Sequence, residues 1–451
     1  MKLHKVTTRI LRLPAIMRGL REGGECWSFC IQGDVDAYQL RQLNEVWSDA
    51  VANVPFYKWW KELHRLPDRI ASFEEYAKWP VLRKRDFQAH SDLVMRQSNR
   101  TFHASVTGGA TGEPLRFGTY PEQGKRVSAC ILMARAGLGF LPGDRVFLFW
   151  GHRHFYGHGF SSKIKFFMRR CKDWLNNSYR ADACDLSPRY LDFILGKLRR
   201  YQPEVIVAYS ASLLALVRFA KMRGVPVRLP GLKCIICTAG PLMAHERAEI
   251  SAFFGSPVYM EYGAMDAGQM AYMAKDGRYH VFLRYRVLQT VNDGVGDLAL
   301  VTTLTKDYLP LFRYQIGDYL KDCTYTDDGR VRTIGEVYGR GSDVVALPSG
   351  LRFQVYTFMV CAEELPKILA YQLIKHGISL EFRVQVVNPL TEEEKSIIRE
   401  KAYSIIPELR TMGFSIEDSK DLIKAPSGKI RLLVEADGGG FLPRGNVDCK
   451  L

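Results

Sequence analysis

Between Arg145 and Gly263 the chain alternates short, almost uninterrupted apolar runs with longer stretches of helical period, and few folds accept that pattern. The runs are RVFLFWG (Arg145 to Gly151), VIVAY (Val205 to Tyr209), CIICTAG (from Cys234) and VYMEYG (Val258 to Gly263). The stretches between them read YLDFILGKLRRY, SLLALVRFAKMRG and AHERAEISAFFG. A strand that is apolar on both faces must be covered on both, and an intervening helix supplies the crossover that parallel pairing requires. The expectation is a set of parallel βαβ units with any ligand at the carboxyl ends of the strands, where the polar and glycine-rich turns fall.

The pattern differs on either side. From about Gln39 to Asp92 it is helical, with breaks at Pro55, Pro67 and Pro80. From Val281 to Tyr338 short runs such as LRYRVLQTV and GDLALVTTL, bounded by Asn-Asp-Gly and Asp-Asp-Gly turns, with DVVALP just beyond, predict an antiparallel β-subdomain. After YGRGSD (Tyr338 to Asp343) come the strand EFRVQVV, the helix TEEEKSIIREKAYSII and the strand KIRLLVEA, which predict a small α/β unit hinged near Arg340 to Asp343. The expected fold class is therefore α/β. A large N-terminal domain over 1–339, of mixed and parallel sheets flanked by helices plus a β-subdomain, opens with a basic segment over 1–40. A small mobile C-terminal α/β lid follows over 340–451.

Composition narrows the function classes. With 451 residues, 47% of them hydrophobic, the chain is long enough for a large core and a smaller one. No secretory leader is evident and the ten cysteines show no regular framework, so free thiols in a reducing, cytoplasmic setting are expected. Cys234 and Cys237 spell CxxC inside an apolar strand pattern, with no second pair at zinc spacing, and read as buried strand residues. No apolar stretch approaches the roughly 20 residues that span a bilayer. The formal charge of +15 is concentrated partly in the first 21 residues and in KIKFFMRRCKDWL, Lys163 to Leu175. The second stretch suits either a solvated helix with its apolar side packed inward, the preferred reading, or peripheral contact with an anionic inner-membrane surface or an acidic partner. No zinc finger, RNP or other recognition signature points to nucleic acid.

Five short motifs carry residue types suited to phosphate and nucleotide chemistry. TGGATGEP (Thr107 to Pro114) offers backbone N–H groups and threonine hydroxyls that can curl around phosphate, without the GK[ST] ending of a Walker loop. MEYGAMDAG (Met260 to Gly268) places an aromatic ring at a strand end and an acid four residues later, suited to a purine and a divalent cation. LPLFRYQIGD (Leu309 to Asp318) carries Arg313 and ends in a carboxylate that can accept ribose hydroxyls. GRGSD (Gly339 to Asp343) follows, and KAPSGKIRLLV (Lys424 to Val434) presents Lys429 on a tight turn before a strand. Taken singly, these motifs are more readily ordinary turns or packing residues.

Their order resembles the adenylate-forming superfamily: a phosphate loop of the TSGTTGxP type, an aromatic-Gly motif with an acid, a PLxRYxxGD element, GRxxD at the hinge and a late SGKxR lysine. ANVPFY (Ala52 to Tyr57), SFEEYAKWPVLRKRDF (Ser72 to Phe87), YQPEVIVAYSASLLALV (Tyr201 to Val217) and PLFRYQIGD are similar to the phenylacetate-CoA ligase and CapK-like branch, with coverage from about residue 40 to 435. The resemblance implies an AMP-forming ligase that adenylates a small-molecule carboxylic acid with ATP and Mg²⁺ and then passes the acyl group to CoA or another thiol, or to an amine. A catalytically weakened CapK-like component of polysaccharide and envelope assembly is the alternative.

By the same resemblance, Thr107, Gly108, Gly109, Thr111 and Gly112 form the phosphate loop. Gly240 and Tyr262, followed by Gly263, flank adenine; Asp266 sits near Mg²⁺; Arg313 and Asp318 belong to the nucleotide site, with Asp318 on the ribose. Arg340 approaches ribose or phosphate, Asp343 is the pivot and Lys429 bridges carboxylate and α-phosphate. The chain departs from the pattern at Gly108 and Ala110, where hydroxyls are common, at Asp266, where Glu is, and at Pro241, where an acid is. The stretch TIGEVYGR lacks the cysteines that some relatives use for zinc, so no structural zinc is expected. Acid-pocket residues are expected at Trp150 to His158, including His152, His154 and Tyr156, at Tyr209 to Leu213, at Ala239 to Met243 and at Tyr262 to Met265.

Overall fold

The computed structural model describes residues 34–436 apart from 99, 107–115, 152–159, 359–360, 362–364, 366, 421 and 426–429; of the first 33 residues it describes Met17, Arg21 and Gly24. The chain divides into two units, the first of Met1–Ser342 with Ala425–Lys429 and the second of Asp343–Lys424 with Ile430–Leu451.

The first unit begins with helices α1 (Val35–Asn53) and α2 (Pro55–His64). The Asp34 side chain accepts from the Ala37 N–H at 3.0 Å and caps α1, and Pro55 opens α2 where its missing N–H costs nothing. Between them the helices bury Trp47, Phe56, Tyr57 and Trp60. Trp47 meets Trp79 at 4.8 Å and Phe312 at 5.2 Å between ring centroids, and Tyr57 meets Phe312 at 5.0 Å. The Tyr57 hydroxyl, buried among these rings, donates to the Pro310 carbonyl. The ANVPFY segment thus grips LPLFRY, and burial on this scale makes truncating one such aromatic cost about 3–5 kcal/mol.

Strands β1 (His103–Val106) and β2 (Arg116–Thr119) form an antiparallel pair. Helix α3 (Pro121–Gly137) follows, then β3 (Val146–Phe149), α4 (Phe160–Leu175), β4 (Ser178–Ala181), α5 (Pro188–Tyr201), β5 (Val205–Tyr209), α6 (Ser210–Met222), β6 (Cys234–Thr238), α7 (Ala244–Phe254) and β7 (Val258–Ala264). β3 to β7 pair in parallel, as the apolar runs require: Val205 to Ala208 and Cys234 to Cys237 are all buried. Cys234 and Cys237 are free thiols three residues apart on β6, so they face opposite sides of the sheet. Burial pushes their pKa values up to about 11 and about 12, which makes them packing residues rather than nucleophiles.

The antiparallel strands β8 (Gly268–Met273), β9 (Tyr279–Val281), β10 (Arg286–Asn292), β11 (Asp297–Thr303), β12 (Tyr314–Tyr325) and β13 (Val331–Arg340) join this sheet instead of closing a sheet of their own. β7 is the joint, parallel to β6 on one side and antiparallel to β8 on the other. The result is one eleven-stranded mixed sheet in the order β10-β11-β12-β13-β9-β8-β7-β6-β5-β3-β4.

The second unit holds the pair β14 (Val344–Ala346) and β15 (Arg352–Gln354), so the DVVALP run belongs here and not with the antiparallel strands before it. Its main sheet has the order β18-β17-β16-β19, from β16 (Ile368–His376), β17 (Ser379–Val386), β18 (Phe414–Ser419) and β19 (Leu433–Glu435). Helix α8 (Glu392–Ile405), capped reciprocally by Thr391 and Glu394, makes the crossover between the parallel strands β17 and β18. Ile398 and Ala402 of α8 pack with Leu373, Phe382 and Val384 in its core.

Candidate active site

β7 carries its functional residues to the boundary between the two halves of the sheet. Glu261 is buried and held in a bidentate ion pair by Arg135 of α3, Nε to Oε1 at 2.6 Å and Nη2 to Oε2 at 2.8 Å. This anchor fixes the strand just before Tyr262, whose ring is 5% exposed. The pairing with β8 then slips between Tyr262 and Gly263. A Cβ on Gly263 would lie 2.7 Å from Gln269 Oε1 and 2.8 Å from the Gly268 carbonyl, so only glycine fits this close approach.

The turn carrying Asp266 is pinned from two sides. The Tyr314 hydroxyl donates to Asp266 Oδ2 at 2.9 Å, and Arg286 donates from Nε and Nη2 to the Ala267 carbonyl at 3.2 and 2.9 Å. Tyr314 is itself placed by the WPVLRKRDF segment. The Leu82 N–H donates to the Arg313 carbonyl at 3.2 Å, the Gln315 N–H to the Leu82 carbonyl at 2.8 Å, and Phe87 stacks on the Tyr314 ring at 5.7 Å.

On β12, Asp318 stands opposite Arg340 of β13, and Arg340 Nε lies 3.2 Å from Asp318 Oδ1. Asp318 is 6% exposed and Arg340 about half exposed. Burial raises the Asp318 pKa, against the pull of Arg340, and Asp266 adds to the rise. Burial, then the neighbouring Asp318 carboxylate, pushes the Tyr262 hydroxyl well above its usual range. That hydroxyl is sealed from solvent yet completes no hydrogen bond of normal length and angle among the described residues. It lies beside a carboxylate without being satisfied by it, an arrangement that costs about 1–3 kcal/mol unless something else supplies a partner.

The neighbouring strand end adds backbone. Ala239, just past β6, holds φ +71°, a conformation that side chains disfavour. Ser210 Oγ supports it by donating to the carbonyls of Thr238 at 3.1 Å and Gly240 at 3.0 Å. Among the described residues beyond its chain neighbours, no atom lies within 4 Å of a Cβ built on Gly240. Farther along, where strand order reverses about β3, Trp150 and Tyr209 pack at 4.8 Å and the Tyr209 hydroxyl donates to the Gly151 carbonyl at 3.3 Å. Such a reversal opens a crevice in sheets of this kind.

The structure therefore brings Tyr262, Gly263, Asp266, Asp318 and Arg340 together, with Gly240 at the end of the adjacent strand. Arg313 is engaged elsewhere. It holds φ +45°, and its buried guanidinium donates to the Trp79 carbonyl at 3.1 Å and Gln289 Oε1 at 2.9 Å, so it braces the approach to Tyr314. Asp343 ends the 3₁₀ turn Gly341–Asp343 and opens the second unit. Thr107, Gly108, Gly109, Thr111, Gly112 and Lys429 lie outside the described residues, as do His152, His154, Tyr156 and His158. Sequence reasoning missed Arg135, Arg286 and Tyr314 as supports. Only Tyr314 carried a signal, its place in FRYQIGD; the two arginines are found only from their partners.

Comparison with solved structures decides the architecture. 2-Hydroxyisobutyryl-CoA ligase in the postadenylation state superimposes with a TM-score of 0.65, covering 89% of each chain at 15% identity. The fold is that of an adenylate-forming ligase. The open form of that ligase, with its acyl-adenylate and CoA, matches this fold with a TM-score of 0.53 over 88% of the chain and 91% of its own, at 16% identity. In sequence the chain is similar to phenylacetate-coenzyme A ligase of Aromatoleum evansii, 23% identical over 412 residues, which cover 83% of this chain and 88% of that one. No family profile matches the chain.

Proposed function

We propose that the chain is an AMP-forming carboxylate ligase, which activates a small-molecule carboxylic acid with ATP and passes the acyl group to a thiol of the CoA type or to an amine. The observation that carries this reading is the meeting of Tyr262, Asp266, Asp318 and Arg340, from separate segments, around a buried hydroxyl that no described residue satisfies. The relatives named above bear on it as CoA ligases.

In this reading a carboxylate oxygen of the substrate attacks the α-phosphorus, the new P–O bond forms and pyrophosphate leaves. The acceptor then attacks the acyl carbon and AMP departs. Little covalent work falls to the protein, so positioning and charge supply most of the rate. Asp318 accepts the ribose hydroxyls, Tyr262 and the backbone at Gly240 flank adenine, and Arg340 serves ribose or phosphate. Thr107, Gly108, Gly109, Thr111 and Gly112 cradle the phosphates. Lys429 bridges carboxylate and α-phosphate, and rotation of the small domain about Asp343 then withdraws it.

Asp266 fits a magnesium ion that is held mainly by phosphate. Tyr314 occupies one of its oxygens and orients the other, and Mg²⁺ commonly takes one or two carboxylates with substrate phosphates and water. When bound, the ion neutralises charge on the phosphates. No group of three or more metal-ligating side chains occurs among the described residues.

Carboxylate-dependent exchange of labelled pyrophosphate into ATP, over a panel of aryl, amino and fatty acids, tests the proposal. Exchange with at least one acid, abolished by Lys429→Ala, is expected. ATP binding without exchange for any acid would remove the ligase reading. The second reading, a CapK-like component of polysaccharide assembly with weakened catalysis, is supported by Gly108 and Ala110 in the phosphate loop and by the basic surface. Absence of calorimetric ATP binding would favour it.

A further inference from the structure

Helix α4 faces the wrong way for an ordinary surface helix. Its apolar residues recur with helical spacing at Ile164, Phe167, Met168, Cys171, Trp174 and Leu175, the stripe that normally packs inward. Here that stripe is exposed, with Phe167 at 68%, Met168 at 65% and Trp174 at 65%, contrary to the inward packing expected from sequence. The helix is docked through its polar side instead. Asp173, 4% exposed, receives Arg180 of β4 on both oxygens at 3.0 and 3.2 Å, and Arg169 Nε lies 3.5 Å from it. A buried ion pair faces the protein while three large apolar side chains face water, which is unfavourable by area alone unless something covers them.

The charges around the stripe indicate what does. By helical period Arg170 lies on one shoulder of the stripe and Lys172 on the other, both exposed, and the sequence places Lys163 and Lys165 seven residues before them. Arg170 sits over the Tyr179 ring at 5.0 Å, and Lys197 of α5 lies 5.8 Å from that ring and 5.1 Å from exposed Phe193. The patch therefore continues onto α5 with the same mixture of rings and cations. We propose that the α4 face is a peripheral docking surface for an anionic lipid bilayer, with Phe167, Met168 and Trp174 inserted at the headgroup boundary and the basic shoulders on lipid phosphates. A second copy of the chain is a poor occupant, because an isologous contact would set the basic shoulders of one α4 against those of the other in a protein of charge +15. No described helix is long and apolar enough to cross the bilayer, so the contact is interfacial.

Flotation of the purified full chain with vesicles tests this. Vesicles of equal parts phosphatidylcholine and phosphatidylglycerol are expected to carry the protein, pure phosphatidylcholine vesicles are not, and Trp174 emission should shift to the blue on binding. Phe167→Glu with Trp174→Glu should abolish flotation, and Arg170→Glu with Lys172→Glu should weaken it by roughly tenfold or more, as should high salt. Circular dichroism and pyrophosphate exchange without vesicles should be unchanged in both variants, which separates docking from folding and from the ligase reading. Failure of the wild-type chain to float with anionic vesicles would overturn the proposal. So would a dimer in solution that Phe167→Glu disperses, or binding equally strong to neutral vesicles.

Discussion

The parallel strands β3–β7 and the antiparallel strands β8–β13 share one sheet, yet they treat polar groups in opposite ways. β5 and β6 bury Val205, Ile206, Val207, Cys234, Ile235 and Ile236 and lend the site only backbone turns at their ends. The antiparallel half and the loops entering it bury Arg286, Gln289, Thr302, Arg313 and Asp318, and nearly every one is tied to a named partner. One half is a stiff apolar support, and the other is a hydrogen-bonded lattice that aims charge. β7 belongs to both, which is why the close-packed glycine and the tyrosine hydroxyl that no described residue satisfies fall on it.

Substitutions that separate the halves should separate stability from activity. Ile236→Ala removes apolar packing in the parallel half and should cost about 2–5 kcal/mol in urea unfolding, with exchange activity per folded molecule kept. Loss of activity without loss of stability there would break the comparison. Asp318→Asn should do the reverse and lower exchange by about a hundredfold, the order expected when charged hydrogen bonds to a ligand are lost.

The same variant should be more stable than wild type at neutral pH, and the sign follows from the raised Asp318 pKa. Burial disfavours the ionised carboxylate in the folded state, so wild type loses stability as pH rises through the unfolded value near 4 up to the folded one. The melting-temperature gap between Asp318→Asn and wild type should widen over that window and close below it. A gap that widens towards acid would mean that the Arg340 pair dominates instead.

At the joint, Gly263→Ala should cost about 1–3 kcal/mol, because the added methyl meets Gln269 and the Gly268 carbonyl inside contact distance. Gly240→Ala, with open space around it, should leave the melting temperature unchanged, and an equal fall in both would remove the distinction. Smallest, Tyr314→Phe should lower exchange by roughly tenfold by freeing Asp266, with the effect reduced at high magnesium concentration.

The legible parts of the fold were those where one physical requirement governs a whole segment. β3, β5, β6 and β7 announce themselves as apolar runs because both faces are covered. β4 (SYRA) and β18 (FSIEDS) are edge strands with polar residues and carry no such signature, and β16, an inner strand but half-polar along YQLIKH, carries none either. In the site, Tyr262, Gly263, Asp266, Asp318 and Arg340 could be singled out because each sits in a short motif of residue types suited to nucleotide chemistry, and the motifs follow one another in an order that resembles the adenylate-forming pattern. Arg135 and Arg286 were not, since a buried arginine is specified by partners 126 and 19 residues away. Helix α4 misled because periodicity reports that an apolar stripe exists, and the Asp173–Arg180 pair decides which way it turns.

The claim beneath all of this is that separated segments close around one nucleotide at the end of β7. A crystal structure with a non-hydrolysable acyl-adenylate analogue measures it directly. The account predicts both ribose hydroxyls within hydrogen-bonding distance of Asp318 and the adenine ring against Tyr262. An analogue bound away from the carboxyl end of β7, with Asp318 still engaged only by Arg340, would contradict it.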